Sequence, residues 1–213
     1  MDNIIVVENL TKKFGKTTVL SGINTSFEQG RIHGIIGRNG SGKTVLMKCI
    51  CGLTPISGGN VTVKGKRIGV DCEIIPNTGV IIETPGFLPN LSGYANLKNL
   101  ADLKSKIPPE KIKATISRVG LNPNDKKKTG KYSLGMRQRL GLAQAIMEDP
   151  ELLILDEPMN GLDKDGVKDM RQYLLDLKAQ GKTILIASHS AEDIDVLCDT
   201  VVEMDKGILS KVR

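Results

Sequence analysis

The most informative segment of the chain is Gly37-Arg38-Asn39-Gly40-Ser41-Gly42-Lys43-Thr44. It matches the pattern G-x-x-x-x-G-K-[ST], with a predicted strand before it (31–36) and a predicted helix after it (44–51). The glycines allow backbone N–H groups to turn towards an anion, and the helix directs its positive N-terminal end at the same point. The sequence therefore predicts a phosphate-binding loop over residues 37–44, followed by Val45.

The last two residues of this loop have the side chains that a nucleotide and its metal ion require. Lys43 can reach the β- and γ-phosphates, and the hydroxyl of Thr44 can coordinate Mg²⁺. The alternative is a glycine-rich turn that arose by chance, but the strand before it and the helix after it favour a nucleotide site.

A pair of carboxylates follows a second apolar segment. Residues 152–155 are four consecutive apolar residues, which is typical of a strand buried on both faces of a parallel sheet, and Asp156 and Glu157 come next. Ligands bind at this end of such strands, so we expect Asp156 to hold Mg²⁺ through water and Glu157 to act as the general base. The alternative is an ordinary acidic exit from a strand.

The two histidines lie in different contexts. His189 follows a predicted strand over 183–187 that should neighbour the Asp156 strand, so it can hydrogen-bond the γ-phosphate. A purely structural role for His189 is the alternative. His33 falls inside a predicted strand, and we interpret it as structural.

Composition narrows the class of protein. The 213 residues are 39% hydrophobic and 25% charged, which excludes a largely disordered chain, and 3% aromatic residues disfavour a base-stacking RNA binder. No apolar run approaches the ~20 residues of a membrane span. The basic run over residues 126–128 is interpreted as a solvated loop, with a docking surface or a nucleic-acid contact as alternatives. The four cysteines lack C-x-x-C spacing, so we expect reduced thiols in the cytosol.

Alternation of strands and helices predicts a mainly parallel sheet with covered faces. Residues 85–132 have no strand pattern and contain two predicted helices, over 97–106 and 110–119. Further predicted elements are strands at 4–7, 17–20, 23–27, 60–63, 80–82, 201–204 and 208–212, and helices at 133–147, 165–179 and 191–197.

A third motif gives the chain a family resemblance. The segment Tyr132-Ser133-Leu134-Gly135-Met136-Arg137-Gln138-Arg139 resembles the signature motif of ATP-binding-cassette (ABC) ATPases, whose common form is L-S-G-G-Q. The order of phosphate loop, helical stretch, signature, Asp156-Glu157, the segment 160–163 and His189 is similar to an ABC transporter subunit from end to end.

The resemblance implies an α/β fold with a P-loop NTPase (RecA-like) core, a mainly parallel sheet, an N-terminal antiparallel β subdomain and an inserted α-helical subdomain. It implies one ABC ATPase domain over 1–213, with a nucleotide-binding core at 1–84 and 133–213 and the helical insertion at about 85–132. ATP and Mg²⁺ are the implied cofactors. Two subunits would pack head to tail, with Ser133 and Gly135 of each closing over the other's ATP.

The resemblance also implies roles at two other positions. Phe14 lies where family members stack an aromatic residue on adenine, and a core or hairpin phenylalanine is the alternative. Asp163 lies in a segment that resembles the loop at the dimer seam, and a simple turn before the next helix is the alternative.

The sequence departs from the common family pattern at three positions. Leu134 and Met136 replace the usual Gly and Gln of the signature, a form similar to the subgroup that exports bacitracin-like and lantibiotic peptides. Glu83 stands where the family usually has Gln. We expect Glu83 still to offer an oxygen to Mg²⁺, while adding a negative charge near the γ-phosphate.

The function that this resemblance implies is energy coupling. An ATPase at the cytoplasmic face of the membrane would drive a separate permease, with a sister subunit or a second copy as partner and no nucleic acid. Phe87 and Leu88 are candidates for permease contact, or else local core. A soluble ABC ATPase in protein or iron–sulfur cluster assembly is the alternative. A chromosome or repair ATPase would need a long coiled coil, which the sequence does not show.

Overall fold

The computed structural model describes residues 2–104 and 107–213. Its N-terminal part contains an antiparallel sheet of four strands in the order β2-β1-β4-β5. The strands are β1 (Asn3–Phe14), β2 (Thr17–Glu28), β4 (Gly58–Val63) and β5 (Lys66–Arg67). The long β1–β2 hairpin pairs Phe14 with Thr17 at its turn, which places Phe14 at the end of the sheet.

The central sheet has six strands in the order β10-β9-β3-β8-β7-β6. All its pairings are parallel except that of β10 with β9, as expected for a mainly parallel sheet. Its strands are β3 (Ile32–Ile36), β6 (Thr78–Ile81), β7 (Leu152–Asp156), β8 (Thr183–Ala187), β9 (Thr200–Asp205) and β10 (Ile208–Lys211). Because β3, β7 and β8 run the same way, their carboxyl ends meet at one edge of the sheet.

Six helices accompany the sheets in the described residues. They are α1 (Lys43–Cys51), α2 (Gly93–Lys104), α3 (Pro109–Arg118), α4 (Leu134–Ile146), α5 (Lys164–Ala179) and α6 (Ala191–Leu197). A single 3₁₀ turn, Thr129–Lys131, precedes α4. Helices α2 and α3 lie between β6 and α4 in the chain, in the segment where we expect the helical insertion.

The central strands are buried on both faces, which explains their uninterrupted apolar sequences. In β7, Leu153 and Leu155 pack in the hydrophobic cluster that also contains residues of α4 and α5. Leu152 and Ile154 pack in the cluster shared with α1 and the antiparallel sheet. Each such side chain stabilises the fold by about 1.5–3 kcal/mol relative to exposure, so this sheet holds the site at its edge rigidly.

The sequence predicted most of these elements to within a few residues, but it predicted only residues 4–7 of β1 and divided β2 into two strands, 17–20 and 23–27, because register shifts interrupt the alternation of this hairpin. It missed the two-residue strand β5 and the 3₁₀ turn, because both are too short to show a hydrophobic period. Helix α2 begins earlier than predicted, at Gly93, and residues 105 and 106 of the predicted helix 97–106 lie outside the described residues. Across residues 2–104 and 107–213, no helix has the length and hydropathy to cross a membrane.

Candidate active site

The phosphate loop connects β3 to α1 and has the backbone geometry of an anion cradle. Gly42 caps α1 with φ 116°, a conformation that a side chain would strain. A Cβ on Gly37 would lie 2.2 Å from the carbonyl oxygen of Met204, so β9 approaches the loop too closely for any other residue. The φ of Gly42 and the short distance at Gly37 explain why the loop needs glycine before the lysine and at its first position.

Lys43 is a buried cation at the centre of this loop. Its side chain is 6% exposed, and its ammonium group donates to the carbonyl oxygens of Gly37 at 2.7 Å and Arg38 at 3.2 Å. Within residues 2–104 and 107–213, no carboxylate forms an ion pair with it. A buried ammonium without a counter-charge is unfavourable, so the site is prepared for an anionic ligand.

Ser41 supplies a second indication that the phosphate loop binds a ligand. Its hydroxyl oxygen is buried and has no hydrogen-bond partner among the described residues. Buried polar groups are nearly always paired, and an orphaned one often marks the place of a bound molecule. Ser41 and Lys43 together fit a phosphate group.

Thr44 and Asp156 meet at the place where a metal ion is expected. The hydroxyl of Thr44 donates to Oδ2 of Asp156 at 2.6 Å, and Asp156 is buried at the carboxyl end of β7. Hydroxyl and carboxylate oxygens are ligands that Mg²⁺ accepts, usually together with water and substrate phosphates. The described residues contain no group of three or more His, Cys, Asp and Glu side chains that could hold a metal alone. Thr44 and Asp156 could hold such a cation together with water and nucleotide phosphates.

Glu157 and His189 are joined by a hydrogen bond. Oε2 of Glu157 lies 2.8 Å from Nδ1 of His189, because β7 and β8 are neighbours and Asp156 pairs with Ala187. Glu157 has φ 49°, an uncommon backbone conformation for a residue with a side chain. Its N–H donates to the carbonyl oxygen of Ala187, and its own carbonyl accepts from Gln138. Strain of this kind is held by its surroundings and is frequent at functional sites.

Glu83 is the second cleft carboxylate with a left-handed backbone. Its φ is 62°, and Oε1 accepts from the ammonium of Lys48 at 2.6 Å. No sequence pattern indicates this partner, which lies on α1, 35 positions away in the chain.

These groups surround one cleft of about 520 Å³. Of the predicted site residues, those that line it are Asn39, Gly40, Ser41, Gly42, Lys43, Thr44, Val45, Glu83, Asp156 and Glu157. The residues that were predicted but do not line it are Phe14, Gly37, Arg38, Ser133, Gly135 and His189, although His189 contacts Glu157 and lines the adjacent cleft. Sequence reasoning missed Val19, Thr84, Leu134, Gln138 and Asn160 as lining residues.

The start of the signature helix is capped as predicted, and only part of it reaches the cleft: Leu134 and Gln138 line the cleft, whereas Ser133 and Gly135 do not. Ser133 caps α4 by accepting a hydrogen bond from the N–H of Met136 at 3.2 Å, and it is exposed. A Cβ on Gly135 would lie 2.6 Å from the carbonyl oxygen of Gly161, so close packing within the chain already requires glycine there. Asp163 accepts from the N–H of Gly166 and caps α5, which gives it the local role that we held as the alternative.

Phe14 lies at the surface, so the core alternative for this residue is wrong. Its ring is 52% exposed, and the ammonium of Lys12 lies 4.5 Å from the ring centroid. An exposed ring at the end of the hairpin is free to stack on a base, or to remain a hairpin residue with its cation contact.

A network of charged residues, which the sequence did not reveal, lies beside the segment that carries His189. Arg171 on α5 donates to Oδ1 of the buried Asp193 from Nε at 2.8 Å and Nη2 at 2.5 Å, and from Nη1 to Glu192 at 2.8 Å. Asp193 in turn accepts from the buried hydroxyl of Ser188, the residue before His189. The carboxylates hold the pKa of Arg171 above its ordinary value. In the sequence, the one hint of this network was an acidic residue, Asp193, four positions after His189.

Known proteins provide an independent test of the assignment. The profile of a family described as ABC transporter matches residues 20–160. An uncharacterized ABC transporter ATP-binding protein of Bacillus subtilis (strain 168), YybJ, is 46% identical over 97% of this chain and 94% of its own length. The bacitracin transport ATP-binding protein BcrA of Enterococcus faecalis is 43% identical over 98% of this chain and 68% of its own length. The lantibiotic transport ATP-binding protein SrtF of Streptococcus pyogenes is 35% identical over 93% and 85%.

Solved structures agree on the fold. A nucleotide-free ATP-binding cassette from an ABC transporter superposes with a TM-score of 0.81 at 27% identity, covering 98% of this chain and 90% of the other. The cassette MJ0796, in a dimeric post-hydrolysis state bound to ADP and Pi, superposes with a TM-score of 0.87 at 20% identity over 98% and 99%. The chain therefore belongs to the ABC transporter family, as an ATP-binding subunit that hydrolyses ATP with Mg²⁺.

Proposed function

We propose that this ATPase pairs head to tail with a second copy or a sister subunit and drives a membrane permease that exports a peptide antibiotic or a similar amphiphile. The observation that carries the head-to-tail arrangement is the exposed start of α4. Ser133 caps the N-terminus of α4, an anion-binding feature, and its side chain is exposed and does not line the cleft of its own chain, although the neighbouring Leu134 does. A second molecule would supply the phosphates that it lacks.

Within each cleft, the loop residues 37–44 and Val45 hold the phosphates. Lys43 binds the β- and γ-phosphates with its ammonium, and the free hydroxyl of Ser41 donates to a phosphate oxygen. Thr44 and Asp156 hold Mg²⁺, and Glu83 offers it a further oxygen. Bound Mg²⁺ supplies positive charge that offsets the charge of the phosphates.

The proton chemistry falls to Glu157 and His189. Glu157 accepts a proton from the attacking water as general base, and His189 fixes its carboxylate through the 2.8 Å contact at Oε2. When the ring is protonated, Nε2 of His189 also donates to the γ-phosphate as charge develops there. The network of Arg171, Asp193 and Ser188 holds the segment that carries His189 in place. Phe14 stacks on the adenine ring.

Export of a peptide antibiotic is proposed because two relatives with stated cargo are the bacitracin and lantibiotic transport proteins. The signature form with Leu134 and Met136 points to the same subgroup. A permease would dock beside the cleft on the segment that follows Glu83. Leu88 is 57% exposed there, whereas Phe87 packs against the core, which matches the alternative we held for Phe87.

The test is a pull-down of the tagged Glu157→Gln variant from gently solubilised membranes in the presence of ATP. We expect a multi-span permease to co-purify, and Leu88→Glu to abolish its recovery. Ile208→Glu is the matched control, since Ile208 is similarly exposed but lies on the edge strand β10. Recovery of a soluble assembly protein without a permease would contradict the proposal and favour the soluble-ATPase alternative.

A further inference from the structure

The charges around the cleft are unbalanced before any nucleotide enters. Three of its lining residues are acidic, Glu83, Asp156 and Glu157, whereas Lys43 is the one basic residue among the described residues that line it. ATP brings several more negative charges. The negative charges of ATP and of these carboxylates repel one another. A further cation near the cleft would therefore favour nucleotide binding.

Lys48 is placed to supply that charge. It lies on α1 four residues after Thr44, so the two side chains lie on the same face of the helix. Its ammonium contacts Oε1 of Glu83 at 2.6 Å, and the side chains of Lys48 and Glu83 are 29% and 63% exposed. Lys48 itself does not line the cleft, so it acts on the site through Glu83.

The backbone conformation of Glu83 is a second reason to assign a role to its contact with Lys48. A left-handed φ of 62° at a glutamate is unfavourable without support from its surroundings. The ion pair with Lys48 ties the carboxylate of this strained residue to the rigid helix that begins at the phosphate loop.

We infer that Lys48 is a positioning residue that neutralises and restrains Glu83, and thereby allows an acidic side chain to stand beside MgATP. This inference rests on the proposed role of the cleft as the MgATP site. A rival explanation is that Lys48 only stabilises the C-terminal end of α1, since it lies in the last turn of that helix.

The experiment is a double-mutant cycle read out as the affinity for a non-hydrolysable ATP analogue with Mg²⁺, measured by calorimetry. Lys48→Met is expected to weaken binding by roughly fivefold, because Glu83 then stands uncompensated beside the phosphates. Glu83→Gln is expected to strengthen binding about twofold. The double variant is expected to bind within about twofold of wild type, because both charges are gone.

Two further readouts separate this inference from its rivals. The loss in Lys48→Met should shrink at about 1 M salt, where the screening length falls to ~3 Å. Lys98→Met is the matched control, because Lys98 forms a helical ion pair of the same 2.6 Å length with Asp102, away from the cleft. It should bind the analogue as wild type does.

Four results have distinct meanings. Wild-type affinity in Lys48→Met overturns the inference. A loss that Glu83→Gln does not rescue also overturns it, and a lowered melting temperature with unchanged affinity assigns Lys48 to helix stability alone. Failure of the wild-type protein to bind the analogue contradicts the proposed function instead.

Discussion

The phosphate loop and the start of α4 are both helix N-termini prepared for an anion, yet they differ in what surrounds them. The loop is enclosed: Lys43 and Ser41 are buried, and β9 packs against Gly37. The start of α4 is open: Ser133 caps the helix and faces solvent. One chain therefore carries a nearly complete cradle and an exposed helix N-terminus, the open half-site, which in our proposal acts on another molecule's nucleotide.

Removal of Lys43 from the enclosed phosphate loop should have the largest effect on ATP binding and turnover. Lys43→Ala removes the buried cation that meets the phosphates, so we expect ATP affinity to fall at least about 100-fold and turnover to disappear. Calorimetry with MgATP measures this loss. Lys113→Ala, which removes a half-buried lysine of α3 that does not line the cleft, should bind normally. Normal turnover by Lys43→Ala would contradict the site assignment.

Breaking the open half-site should affect turnover more than binding. Ser133→Asp retains a residue that caps helices well but adds a negative charge that repels the partner's phosphates. We expect ATPase activity to fall about tenfold or more, while one molecule's affinity for ATP changes little. Ser133→Asn is the matched control, since it also caps and is neutral. Equal losses in both variants would show that charge at this position does not matter.

Removing the exposed ring of Phe14 should have a smaller effect. Phe14→Ala deletes the base-stacking surface, so we expect ATP affinity to fall roughly fivefold, and Phe14→Tyr to restore it. The loss should be similar for GTP, because stacking discriminates weakly between bases. Unchanged affinity in Phe14→Ala would leave Phe14 as a hairpin residue with its Lys12 contact.

The smallest effect concerns His33, which lies away from the cleft. Burial lowers its pKa, while a hydrogen bond to the carbonyl of Glu28 opposes this. A lowered folded pKa means that stability is present above the ordinary value of about 6.5 and is lost as pH falls below it. We expect the free energy of unfolding to drop by up to about 1 kcal/mol between pH 7 and 5.5. Urea titrations should show a flatter pH dependence in His33→Gln, and an equal slope would assign the effect elsewhere.

Sequence patterns predicted most of the residues that line the cleft, because these residues belong to local patterns. The motif places the phosphate loop between a strand and a helix, and the apolar run 152–155 places Asp156 at the end of a buried strand. The same reasoning predicted that the strand before His189 neighbours the strand of Asp156, and this pairing brings His189 within 2.8 Å of Glu157.

Contacts between distant residues were beyond sequence reasoning. Lys48 and Glu83 are long polar side chains without a period or motif to link them, and their meeting depends on the path of the chain after β6. The left-handed backbone at Glu83 and Glu157 is equally hidden, because glycine or asparagine would have signalled it. We predicted a ligand contact for Gly135. The packing of α4 on Gly161 already requires glycine at this position.

The central claim is that the open half-site of one copy completes the enclosed site of another. Sedimentation velocity of Glu157→Gln with MgATP tests it most directly, because this variant should bind ATP without hydrolysing it. The account predicts an ATP-dependent dimer that disappears when Lys43→Ala is added. A Glu157→Gln protein that binds ATP yet sediments as a monomer at every ATP concentration would contradict a site shared between two copies of this chain.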